Sequence, residues 1–232
     1  MSAAWSHWLA QMLGTDVPAL PHAVLMQIWL HVGWSVVLAC TAASLVGRWM
    51  PAPAGKLDGR QWGVALGLAL WTWVPGPYSP AYWLGLAFQA PSIATVLLCD
   101  ALLRARFFST RSGMPLNATP HRATLALAVA GVLAGWALLL DTFALLPLQL
   151  YAWGFSSAAV CGVLVLGLLP WLVVSTHQPS RSLRLWIVPM AVGVFAVSRL
   201  PSGNVWDAVL DPWLWLALHV YVARAMWRAL RR

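Results

Sequence analysis

The stretch "WVPGPYSPAYWLGLAFQAP", residues 73–91, sets Pro75, Pro77, Pro80 and Pro91 inside one of the most hydrophobic parts of the chain. Such a string is either a loop over a soluble core or a turn between two membrane-spanning helices, and composition separates the two. Of 232 residues, 61% are hydrophobic and 9% are charged, against about 25% charged in an ordinary soluble domain. A chain this apolar cannot cover its own surface with polar groups. Its long apolar runs approach the roughly 20 residues a helix needs to cross a bilayer. The predicted fold class is therefore all-α, a polytopic membrane helical bundle forming a single domain over residues 1–232.

Working outward from residues 73–91, seven spans are expected, at 21–48, 60–75, 79–103, 121–146, 150–175, 183–199 and 209–229. The connections between them alternate in charge. Arg48, Lys56 and Arg60, then Arg104, Arg106, Arg111 and Arg122, then Arg181 and Arg184, then Arg224, Arg228, Arg231 and Arg232 fall on one side, and Arg199 alone falls on the other. Basic segments resist translocation and stay in the cytoplasm. The N-terminus is thus expected outside and the C-terminus inside, in the inner membrane of a bacterial type of cell, as a multi-pass protein. The formal net charge of +8 does not point to nucleic acid, because the basic residues sit in short clusters between apolar runs.

In this frame "VPGPYSP" is an outer turn, with Ser79 as N-cap and Pro80 at the first helical position, where the missing amide costs no hydrogen bond. "DPWLWLAL" at 211–218 repeats the chemistry with Asp211 and Pro212. Both strings place Trp or Tyr where aromatic rings favour the headgroup layer. Residues 1–20, with Trp5, Trp8, Leu9, Met12 and Leu13 on one helical face, are expected to lie along the outer interface. That segment lacks the basic start and small-residue cleavage site of a signal peptide. Cys40, Cys99 and Cys161 are too widely spaced for a metal or redox pair. The sequon at Asn117 falls in an inner loop and should carry no glycan.

Polar side chains within the spans are the remaining pointers, since such groups in hydrocarbon normally face a partner or a cavity. Gln27, His31 and Ser35 form a stripe at helical spacing on the first span. Gln89 and Ser92 flank Pro91 on the third, and Asp211, Trp215 and His219 recur on the seventh. Counted from the outer caps, His31, Gln89 and His219 should all lie roughly 12 to 15 Å deep. This layer either joins helices through hydrogen bonds or holds a ligand. The candidate ligand-binding residues are His31, Gln89, His219 and Gln27. Nearer the outer surface Asp141 and Arg199 are a candidate ion pair; Arg199 has Asp207 and Asp211 as other possible partners, or an anionic substrate or headgroup.

No nucleophile elbow, HExxH, magnesium-binding acidic pair or phosphate loop occurs, and with no glutamate any acid–base work would fall on Asp141 or the histidines. The expected role is non-enzymatic. It is that of an accessory or assembly subunit of a membrane complex, or a small transport protein, with the bilayer and other membrane subunits as partners and no cofactor or metal. The alternative is a membrane-embedded redox protein or enzyme holding a cofactor or quinone-like ligand between His31 and His219. A single haem b is the most that one histidine pair could ligate.

Overall fold

The computed structural model describes residue 14 and residues 18–49, 59–107, 122–173 and 183–231. Most of the segment 1–20, expected at an interface, lies outside them, as do Asn117, His121 and His177, expected in inner loops. Among the described residues the chain is all-helical, without strands. The ten α-helices are α1 (Ala23–Trp49), α2 (Gly59–Trp71), α3 (Pro80–Phe88), α4 (Ile93–Phe107), α5 (Arg122–Thr142), α6 (Leu150–Trp153), α7 (Ser157–Val173), α8 (Ile187–Ser198), α9 (Val205–Val209) and α10 (Pro212–Leu230). Two of them, Ala23–Trp49 with mean hydropathy 1.7 and Ala123–Thr142 within α5 with 2.2, are long and apolar enough to cross a membrane.

Several expected spans are subdivided, for local reasons. The third is two helices, α3 and α4, separated at residues 89–92. Pro91 has no amide for an intrahelical bond, and its ring pushes the preceding residue out of the α region. The fifth starts with one short turn, α6, before α7 begins at Ser157. The sixth opens on a 3-10 turn, Leu183–Trp186, ahead of α8. The caps read from the sequence are formed. Ser79 Oγ accepts from the Ala81 amide ahead of Pro80, and Asp211 accepts from the Leu214 amide ahead of Pro212.

The chain divides into two compact units. In the unit His22–Thr119, α1 is the spine against which α2, α3 and α4 pack. The contact between α1 and α2 is built from small residues, Ala39 and Ala43 meeting Ala65, with Ala69 and Leu103 at its edge. Small side chains let helix backbones approach closely, which favours dispersion contacts.

The unit Met1–Pro21 with Pro120–Arg232 uses glycine grooves. Gly131 and Gly135, one helical turn apart on α5, receive Leu218 and Trp215 of α10; a Cβ on Gly135 would stand 2.3 Å from the Trp215 ring, and one on Gly131 2.7 Å from Leu218. Gly167 of α7 receives Val188 of α8 in the same way, at 2.6 Å. Away from these seams the apolar surface is uncovered. Only 6% of the most hydrophobic window of α5 is buried, and Leu133 and Trp136 are exposed.

The groove predicts a contrast between two glycines. Gly135→Ala should lower the unfolding temperature in detergent by the equivalent of about 1–3 kcal/mol, the usual cost of overpacking. Gly162→Ala on α7, with nothing within 4 Å of the added methyl, should leave it unchanged or raise it, since alanine is the better helix former by about 1 kcal/mol. Equal losses in both variants would show that the groove does not seat α10.

Candidate functional site

The polar layer read from the sequence falls on both units, His31 and Gln89 in one and His219 in the other, and each part has its own partners.

Around His31 the chemistry begins with a helix end. The last carbonyls of α2 have no intrahelical donor, and α1 supplies donors from its side. His31 Nδ1 lies 2.6 Å from the Thr72 carbonyl, which also accepts from the Ser79 hydroxyl at 2.8 Å. The Ser35 hydroxyl sits among the carbonyls of His31 (2.7 Å) and Ala69 (3.1 Å) and the Thr72 hydroxyl. The Thr72 hydroxyl donates to the Ala69 carbonyl at 2.7 Å. Ser35, Thr72 and Ser79 are all buried. Trp73 stacks on the imidazole at 5.4 Å between centroids. Because a carbonyl only accepts, Nδ1 carries the proton, and Nε2 is left without a partner among the described residues.

The break between α3 and α4 is served by the same spine. Trp34 Nε1 donates to the Gln89 carbonyl at 2.9 Å, and Trp29 Nε1 to the Pro91 carbonyl at 3.0 Å. Gly33, between the two indoles, lets Pro91 in, its Cδ being 3.0 Å from where a Cβ would stand. Ser92, fully buried, then caps α4 by accepting from the Thr95 amide. Gln89 has φ 61 and ψ −155, a region that glycine occupies almost alone. Its side chain is exposed, so this residue contributes its main chain to the arrangement. Gln27, one turn above His31, is exposed as well.

His219 is held at both nitrogens. Nδ1 donates to the Trp215 carbonyl at 2.8 Å, and Nε2 accepts from Trp136 Nε1 at 3.1 Å. Only the neutral ring protonated on Nδ1 satisfies both bonds. Trp215 and Trp136 meet the imidazole edge-on, and Trp215 Nε1 donates to the Val132 carbonyl at 3.1 Å. His219 thus ties α10 to α5.

Near the expected outer surface Asp141 and Arg199 have separate surroundings. Asp141 accepts from the Tyr151 amide at 2.8 Å, while Arg199 lies over the Phe195 ring at 5.4 Å. Arg104 and Asp100 form an ion pair within α4, at 2.7 Å. The sequence reading overlooked a network centred on Asn204, which is fully buried. Its amide donates to the Tyr151 carbonyl and its oxygen accepts from the Trp206 amide, each at 2.9 Å. Tyr151 in turn donates its hydroxyl to Asp207 at 2.7 Å. The string "SGNVWD" signals an Asn helix cap; which distant carbonyl its amide would reach is not a local property. Thr72, Trp29 and Trp34 were also overlooked: the two indoles act on carbonyls remote in sequence, and Thr72 receives the side chains of His31 and Ser35 from another helix.

Among the described residues no group of three or more His, Cys, Asp or Glu side chains is placed to hold a metal ion. Comparisons with protein-family models, curated proteins and solved structures find no match to this chain.

Two substitutions test the helix break. Trp34→Phe keeps a ring but removes the donor, and should cost about 1–3 kcal/mol through the unsatisfied carbonyl. Gln89→Gly should instead stabilise by about 1 kcal/mol by relieving the backbone. Thermal unfolding in detergent reads both. A silent Trp34→Phe with a destabilised Gln89→Gly would mean that other contacts hold the break.

Proposed function

We propose that the chain is a polytopic inner-membrane protein of about seven membrane-crossing segments, with its N-terminus outside and its C-terminus in the cytoplasm. It serves as a non-enzymatic accessory or assembly subunit of a membrane complex, or as a small transport protein. The observation that carries this reading is the uncovered apolar surface. A 20-residue helix of mean hydropathy 2.2 with 6% of its window buried belongs against lipid or against other subunits, because its burial within its own chain is too small to account for its composition. The alternation of basic loops supports the orientation. Where the described polar side chains lie within the expected spans, they mostly serve backbone ends, which supports a scaffold more than a reactive centre.

A second reading, a cofactor or quinone-like ligand bound through His31 and His219, draws its support from the open Nε2 of His31. Against it, His219 would have to release Trp136 before its Nε2 could ligate anything. A Soret band in the purified protein that disappears in His31→Ala would favour this second reading. A colourless protein that co-purifies with the same membrane partners at fixed ratio would favour the first.

Orientation has its own test, in a background with Cys40, Cys99 and Cys161 replaced by alanine. Tyr78→Cys, at an exposed position in the 3-10 turn Gly76–Tyr78, should react with an impermeant maleimide on intact cells. Arg231→Cys should react only after permeabilisation. The reverse pattern would invert the topology.

A further inference from the structure

Arg199 is the one basic residue on the expected outer side, and the sequence leaves it either an ion-pair partner or an anionic ligand. Among the described residues Arg199 has no ion-pair partner. The described aspartates of that part of its unit accept from other groups: Asp141 from the Tyr151 amide, Asp207 from the hydroxyls of Tyr151 and Ser202, and Asp211 from the Leu214 amide. Arg199 itself is half-buried, with its guanidinium over the face of Phe195. A ring beneath one face of a guanidinium leaves the N–H donors along its edge free of that contact. The backbone points the same way. Arg199 closes α8 in the left-handed region, at φ 59 and ψ 13, a helix-end position that suits glycine far better. The chain thus carries a cation where the helix end alone would select glycine.

We propose that Arg199 is an anion-binding residue on the outer face, and that the group it takes is the phosphate of an acidic phospholipid. This rests on the membrane reading given above. A phosphate oxygen pair matches the two-pronged edge of a guanidinium. The last turns of α8 present Val194 and Val197 uncovered, the latter 91% exposed, so the arginine terminates a lipid-facing helix, at the level where headgroup phosphates lie. A free phosphate would satisfy the same donors, and the experiment separates the two sources.

The full chain in neutral detergent is compared with Arg199→Gly and Arg199→Lys. Native mass spectrometry follows bound phosphatidylglycerol, and thermal unfolding follows stability with phosphatidylglycerol, phosphatidylcholine or inorganic phosphate added. Arg199→Gly is expected to unfold at the same or a higher temperature than the parent, to retain one fewer tightly held phosphatidylglycerol, and to bind the lipid about tenfold more weakly at that site. Arg199→Lys is expected to fall between them, and Arg224→Gln, at the opposite end, to keep the site. Stabilisation by inorganic phosphate equal to that by phosphatidylglycerol, lost in Arg199→Gly, would overturn the lipid as the source. A lower unfolding temperature in Arg199→Gly with unchanged lipid binding would overturn the site altogether and return Arg199 to a structural role. Release of the parent chain from membranes by alkaline carbonate would sink the membrane reading separately from either result.

Discussion

Backbone groups at the ends of short helices, held away from water, must find partners, and this requirement organises the unit His22–Thr119. Within two turns of α1, Trp29, His31, Trp34 and Ser35 direct their donors at carbonyls of Pro91, Thr72, Gln89 and Ala69. Two of those carbonyls belong to the end of α2 and two to the break between α3 and α4. An unpaired buried carbonyl would cost about 1–3 kcal/mol, so the short α2 and the interrupted α3–α4 segment depend on one face of the long helix. The alanine seam at Ala39, Ala43 and Ala65 brings α2 close enough for these bonds to form.

The other unit meets the same requirement differently. A bulky indole, Trp215, fills a glycine groove on α5 and donates to a carbonyl there, while Asn204 and Asp207 tie residues 150–156 to the segment before α10. Two histidines assigned by sequence to one polar layer consequently differ in chemistry. Among the described residues His31 keeps one nitrogen without a partner, whereas both nitrogens of His219 are bonded, one of them to α5. Neighbours, and not the residue type, decide which imidazole is available to a ligand.

The parts of this arrangement legible in the sequence are local. Ser79 with Pro80 and Asp211 with Pro212 could be identified as caps because a cap is decided within four residues. The four-residue spacing of His31 and Ser35 correctly put both on one face, but spacing could not tell that Gln27 on the same stripe stays exposed. Pro91 announced a disturbed helix. Whether that helix bends or breaks depends on who satisfies the freed carbonyls, and Trp29 and Trp34 lie more than fifty residues away. The expected pairing of Arg199 with an aspartate followed from charge alone, and charge does not reveal that Tyr151, Ser202 and two amides already occupy the carboxylates.

By itself the sequence determined the helical class and the boundaries set by capping chemistry, because short-range hydrogen bonding depends only on residues that are neighbours along the chain. Tertiary structure alone decided the division into two units, the break at residues 89–92, the tautomers of His31 and His219, and the surroundings of Arg199 among the described residues. The break and the tautomers turn largely on which group from another helix lies within hydrogen-bonding reach, a relation that no local pattern encodes.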